Sequence, residues 1–118
     1  MQRINIGKDF SDHPIGRYRE DGPESGQVFR DDYLIPKLEG LESNEILEII
    51  LDDGVDGYGS SFLVEAFAGV VKVGYMHADE LLKKLTFKYT DEDFSFFEDK
   101  IKEYIQEAHY GSAAGGRQ

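Results

Sequence analysis

The sequence predicts an α/β domain, a small mixed or parallel sheet covered by about three helices, and three observations carry that prediction. A nearly continuous apolar run from Glu45 to Leu51, bounded by Asn44 and by Asp52-Asp53-Gly54, reads as a central strand buried on both faces. After a glycine-rich loop, Phe62, Leu63, Ala66, Phe67, Val70 and Val71 fall on one stripe of a helix. Strand and helix signals then alternate along the rest of the chain. One hydrophobic core is the expectation for 118 residues, of which 40% are hydrophobic, including 8 Phe and 7 Tyr.

Taken in order, Arg3 to Ile6 alternate polar and apolar residues and form a short first strand. Lys8 to Glu24 gathers Pro14, Gly16, Gly22 and Pro23 and reads as an irregular loop or short hairpin. Ser25 then caps a helix carrying Val28, Phe29, Leu34, Ile35 and Leu38. Pro36 removes a backbone donor, so a kink or end is expected near Tyr33 to Ile35, and Gly40 stops the segment. Asp52 to Gly59 is a loop. Ser60 or Ser61 is the natural N-cap of the next helix, because a hydroxyl accepts from an otherwise orphaned N–H, and Gly74 is its stop. Ala78 to Lys84 suits one or two helical turns, and Leu85 to Tyr89 another strand. Thr90, with Asp93 three residues on, caps a last helix whose apolar face is Phe94, Phe97, Ile101, Tyr104, Ile105 and Ala108. The domain is placed at residues 1–108 and a flexible tail at 109–118.

Charge and residue types narrow the function. The 13 Lys+Arg against 24 Asp+Glu give a net charge of −11, which repels nucleic-acid backbones and anionic lipid and suits solubility or a basic partner. Without cysteine there is no disulfide, thiolate or Cys-zinc chemistry, and the composition fits a reducing, cytoplasmic setting. No apolar run approaches the roughly 20 residues of a membrane span. His13, His77 and His109 are scattered. The acidic loop from Asp52 has Leu63, not Glu, at the twelfth position of a calcium loop, so no metal or cofactor is expected. Ser60 and Ser61 sit where a hydrolase elbow would be, but Phe62 follows instead of the x-Gly pattern, and no base and orienting group assemble around them. The sequence therefore points to a binding module rather than an enzyme. With cations scarce, Arg17 and Arg30 near Gly22-Pro23-Glu24-Ser25-Gly26 are candidate anion or partner contacts together with Ser25 and Glu65. The alternative is local pairing of Arg17 or Arg30 with Asp31, Asp32 or Glu24.

Two blocks carry a resemblance. The first is Gly22-Pro23-Glu24-Ser25-Gly26 with Phe29-Arg30, set between Phe10, Gly16-Arg17 and Leu34-Ile35-Pro36. The second is Gly59-Ser60-Ser61-Phe62-Leu63-Val64-Glu65-Ala66-Phe67. Together they resemble a bacterial family of STAS-like domains of unknown function over roughly residues 4 to 105. The resemblance implies similarity to sulfate-transporter and anti-sigma-factor-antagonist domains, whose central strand ends in an Asp-Ser-Ser/Thr-Gly-Leu turn phosphorylated by a partner kinase. Here that turn falls on Gly59-Ser60-Ser61-Phe62-Leu63, with glycine at the acidic position and Phe62 at the glycine. The resemblance thus implies a regulatory protein-interaction module with Ser60 or Ser61 as phosphorylation or cap switch and a histidine-kinase-type ATPase as partner. Two other readings accompany it. One is an acidic decoy or inhibitor of a basic nucleic-acid-binding protein. The other is an anion or nucleotide site at Arg17, Arg30 and the Ser60 helix start.

Overall fold

Three short strands frame the computed structural model, which describes residues 2–113. They are β1 (Gln2–Asn5), β2 (Leu47–Ile50) and β3 (Leu85–Lys88), all parallel and ordered β1-β2-β3. The register sets Ile4, Ile49 and Phe87 in one row and Leu47 beside Leu85, and all five are buried. The other face carries Arg3, Glu48 and Thr86, then Asn5, Ile50 and Lys88. The central strand is buried on both faces at Leu47, Glu48 and Ile49, as expected, and Ile50 is half-buried. Glu48 is covered by the guanidinium of Arg3, whose Nε donates to Glu48 Oε1 at 2.6 Å.

Parallel strands need crossovers, and four helical stretches supply the chain between and after them: α1 (26–39), α2 (60–72), α3 (Ala78–Lys84) and α4 (Ser95–Glu107). Both crossovers step in the same direction along the sheet, so right-handed connections bring α1 and α2 to the same face. Their packing requires Gly26, whose Cα lies so close to α2 that an added Cβ would stand 2.6 Å from the Phe62 carbonyl oxygen. The core between sheet and helices is built on Phe29, Phe62, Phe67, Leu63, Leu81, Ile101 and Ile105, each almost wholly buried.

Pro36 does not break α1. The segment Arg30–Leu34 widens into a π-turn, with the Ile35 N–H bonding to the Arg30 carbonyl, and the helix continues through Ile35–Glu39 to Gly40. One extra residue in the turn relieves the crowding that a proline ring imposes on the preceding carbonyl. The N-cap of α2 is likewise corrected. Gly59 holds the extended cap conformation, and Ser60 and Ser61 are the first two helical residues, both exposed and neither capping through its side chain. Gly74 ends α2 as expected, at φ 85°, with its N–H on the Val71 carbonyl and that of Tyr75 on Val70, a Schellman motif.

Thr90 is not the cap of the last helix. Asp91 takes that role, accepting from the Asp93 N–H at 2.9 Å in the 3-10 turn Glu92–Phe94 that precedes α4. Of the segment expected to be a tail, 109–113 folds back on α2. The Gly111 and Ala113 N–H groups bond to the carbonyls of Val71 and Lys72, and Tyr110 stacks on His77 at 3.7 Å while its hydroxyl donates to Gly74. Residues 114–118 lie outside the described residues.

Candidate functional site

The loops that leave the carboxyl ends of β1, β2 and β3 meet at one end of the sheet, where open α/β sheets present their sites. Side chains fasten these loops to each other. Asn5 Nδ2 donates to Asp53 Oδ2 at 2.8 Å, and Gly7 passes against the Asp53 carbonyl, where a Cβ would overlap the oxygen. Tyr58, half-buried, donates its hydroxyl to the Leu51 carbonyl at 2.7 Å, and burial with the nearby Asp52 charge pushes its pKa up. Rings form the floor: Phe10 edges onto Phe29 at 5.2 Å, Phe29 meets Phe62 at 5.9 Å, and Tyr58 stacks on Phe62 at 5.8 Å and edges onto Phe97 at 5.5 Å.

Asp52 ties the β2 loop to the β3 loop. One carboxylate oxygen accepts from the Thr90 N–H at 2.8 Å, the Thr90 hydroxyl at 3.0 Å and the Asp91 N–H at 2.8 Å. Burial works against this carboxylate, but the donors of Asp91 and Thr90 outweigh it and hold its pKa below the ordinary 3.8. A depressed carboxylate pKa stabilises the fold above the unfolded value and loses that contribution as the pH falls through the folded value. Asp52→Asn is therefore expected to cost about 1 kcal/mol at neutral pH, discounted for solvent exposure. The difference between wild type and variant should vanish as the pH is lowered well below 3.8. Urea melts from pH 7 to pH 2 check it, and a difference that persists undiminished at the acid end refutes the assignment.

An open depression of about 480 Å³ is lined by Ile15, Gly16, Arg17, Asp21, Gly59, Ser60, Ser61 and Phe62. It brings Ser60 and Ser61, at the start of α2, together with Arg17 on a loop more than 40 residues earlier in sequence. Arg17 is aimed by its own loop: its N–H and that of Tyr18 bond to Asp21, and the Gly26 and Gln27 N–H groups bond to the carbonyls of Gly16 and Arg17. Its Nη2 donates to Ser61 Oγ at 3.4 Å and its Nη1 lies 3.9 Å from Glu65 Oε1.

The other sequence candidates lie beneath the surface. Ser25 is fully buried and its hydroxyl accepts from the Val28 N–H at 3.3 Å, a cap for α1. Arg30 is 3% exposed. Its Nη1 donates to Glu65 Oε2 at 2.6 Å and to the Glu65 carbonyl at 3.3 Å, and its Nε to Asp31 Oδ1 at 2.8 Å. Burial opposes the guanidinium charge, yet the Asp31 and Glu65 carboxylates raise its pKa on balance. Gly69 makes the room, since a Cβ there would stand 2.6 Å from Arg30 Nη1. Arg30 does pair with Asp31, as the local alternative held. Its buried partner, however, is Glu65, and no periodicity in the sequence connects those two residues. Arg17 is the one of these candidates that faces solvent beside the serines. Sequence reasoning missed the Asp52 tie, because the pair Asp52-Asp53 after β2 reads only as loop and nothing local points to the Thr90 and Asp91 donors.

Among the described residues, no group of three or more His, Cys, Asp or Glu side chains is placed to hold a metal ion, and no helix is long and apolar enough to cross a membrane. A family model described as a STAS-like domain of unknown function matches residues 25–94. The chain belongs to this family. The matched span of the STAS-like domain runs from the Ser25 cap to Phe94 and takes in both serines, Arg30 and Glu65. Arg17 lies outside it, on the preceding loop. No curated protein and no solved structure matches the chain.

Proposed function

We propose that this STAS-like domain is a regulatory protein-interaction module, and that phosphorylation of Ser61 by a histidine-kinase-type ATPase switches it. The observation that carries the reading is the exposed Ser61 hydroxyl in the first turn of α2, with Arg17 Nη2 3.4 Å away. A phosphate there adds about −1.5 to −2 charge. It meets a guanidinium suited to paired hydrogen bonds and, at the helix start, N–H groups with no side-chain cap. The two departures from the phosphorylated turn have structural roles that leave both hydroxyls in place. Gly59 is the N-cap, and Phe62 is a core residue 1% exposed. In the transfer the Ser61 oxygen bonds to the γ-phosphorus of ATP, ADP leaves, and the hydroxyl proton passes to a base of the kinase. The domain is the substrate in this reading, not the catalyst.

Incubating the domain with ATP and a histidine-kinase-type ATPase of the same organism tests the proposal by intact mass and peptide mapping. One added phosphate is expected, mapped to Ser61, absent from Ser61→Ala and retained by Ser60→Ala. Binding to the ATPase should change in Ser61→Asp. Absence of transfer, with Ser61→Asp binding as wild type does, would overturn it.

A further inference from the structure

We infer that an apolar strip running from Ile15 past Gly57 to Phe97 and Phe96 seats a cationic, apolar-faced segment of a partner protein. The inference rests on the interaction-module reading and locates where such a module is gripped. Large hydrophobic side chains are expensive to leave in water, and among the described residues only Ile15, Phe96 and Tyr110 are exposed ones. Tyr110 is accounted for by its stacking on His77 and its bond to Gly74. Ile15, 68% exposed, and Phe96, 58% exposed, lie at the two ends of the strip.

Neither end is a loose residue. Ile15 donates its N–H to the Glu24 carbonyl at 2.9 Å. The loop before it is pinned by Ser11 Oγ, which donates to Glu24 at 2.8 Å and accepts from the His13 N–H at 2.9 Å. Phe96 edges onto Phe97 at 5.5 Å, and Phe97 is braced by Phe94 at 5.2 Å and by Tyr58. Gly57 joins the halves: it shares a depression of about 330 Å³ with Ile15 and leaves the Phe97 ring uncovered, since a Cβ on it would touch Phe97 Cζ at 3.3 Å. A surface already fixed in the shape that binds loses little conformational entropy on docking.

Charge decides the occupant. Asp12 and Asp56 line the depression beside Ile15, and Asp21 lines the one on its other side. The nearby basic side chains already face acids: His13 pairs with Asp12, Arg17 lies 3.9 Å from Glu65, and Lys100, over the Phe96 ring, bonds to Glu103 at 3.3 Å. An anionic membrane or a second copy would bring like charge to this rim, whereas a segment with Lys or Arg flanking an apolar face matches it.

The test is a titration of the ¹⁵N-labelled chain with a synthetic amphipathic Leu/Lys peptide and with its Leu/Glu counterpart, followed by amide shifts. Saturable shifts at Ile15, Gly57 and Phe96 are expected with the Leu/Lys peptide alone, weakening as salt is raised. Ile15→Asp and Phe96→Asp should each weaken binding about tenfold. Both sites are exposed, so the urea midpoint should stay unchanged and report that the fold is intact. Shifts mapping elsewhere, equal binding of the Leu/Glu peptide, or self-association abolished by Ile15→Asp would overturn the inference. Neither ATP nor ATPase is present, so failure of the serine switch leaves this outcome unaffected, and failure here leaves the phosphorylation result standing.

Discussion

Arg30→Met is expected to lower the unfolding free energy by about 3–5 kcal/mol, the cost of leaving one partner of a buried ion pair uncompensated. The magnitude follows from burial: Arg30 is 3% exposed and Glu65 8% exposed, and Arg30 meets both the carboxylate and the carbonyl of Glu65. The only other cation near Glu65 among the described residues is Arg17, at 3.9 Å and partly in solvent, too distant to replace the lost bonds. The charge is the cause, not the volume, so the double variant Arg30→Met, Glu65→Met should recover most of the loss. Domains of this kind are stable by about 5–15 kcal/mol in total, so the single variant forfeits a large share. Urea melts of the two single variants and the double give the coupling. If the double variant is as unstable as the sum of the singles, the pair acts through packing and the electrostatic account is wrong. Arg30→Lys should not rescue, because an ammonium cannot serve Asp31 and Glu65 in one plane.

The second large effect is expected at Gly26. In Gly26→Ala the new methyl would lie 2.6 Å from the Phe62 carbonyl oxygen and 3.0 Å from the Ala66 nitrogen, both backbone atoms of α2 that no side-chain rotation removes. The helices must part, and the expected loss is about 2–3 kcal/mol even though alanine is the better helix former. Gly40→Ala is the control: its φ is −83° and its nearest neighbours would be 3.7 Å away, so it should be neutral or raise stability by about 0.5 kcal/mol. Equal effects at the two glycines would show that the close approach of α1 to α2 is not what Gly26 provides. Gly26→Ala should also disturb Ser61, because the bond from the Gly26 N–H to the Gly16 carbonyl holds the Arg17 loop.

Much of the scaffold is legible in the sequence. The period of Phe62 to Val71 is a direct consequence of 3.6 residues per turn, and Gly74 ends that helix because a left-handed residue does so with least strain. The run from Glu45 to Leu51 marked the central strand, and the two glycine- and serine-containing blocks marked the family. Local rules misled where two of them competed. Serine is the favoured cap, yet Gly59 already held the extended conformation and the serines entered the helix. Proline allowed a kink or an end near Tyr33 to Ile35, and the helix takes up a π-turn at Arg30–Leu34 and continues.

The candidate site was legible only in part. Ser60, Ser61 and Arg17 were visible as residue types, but their meeting depends on how the loop after β1 folds over the start of α2. Ser25, Arg30 and Glu65 looked equally available and are interior. The sequence by itself determined the order of strands and helices, the acidic surface and the helix start that presents the serines, because these follow from period, composition and turn chemistry along neighbouring residues. Only the tertiary structure decided which cation reaches Ser61, which is spent on Glu65, and that Ile15 and Phe96 stand uncovered on one strip. Those outcomes turn on contacts between distant segments, and packing, not periodicity, sets them.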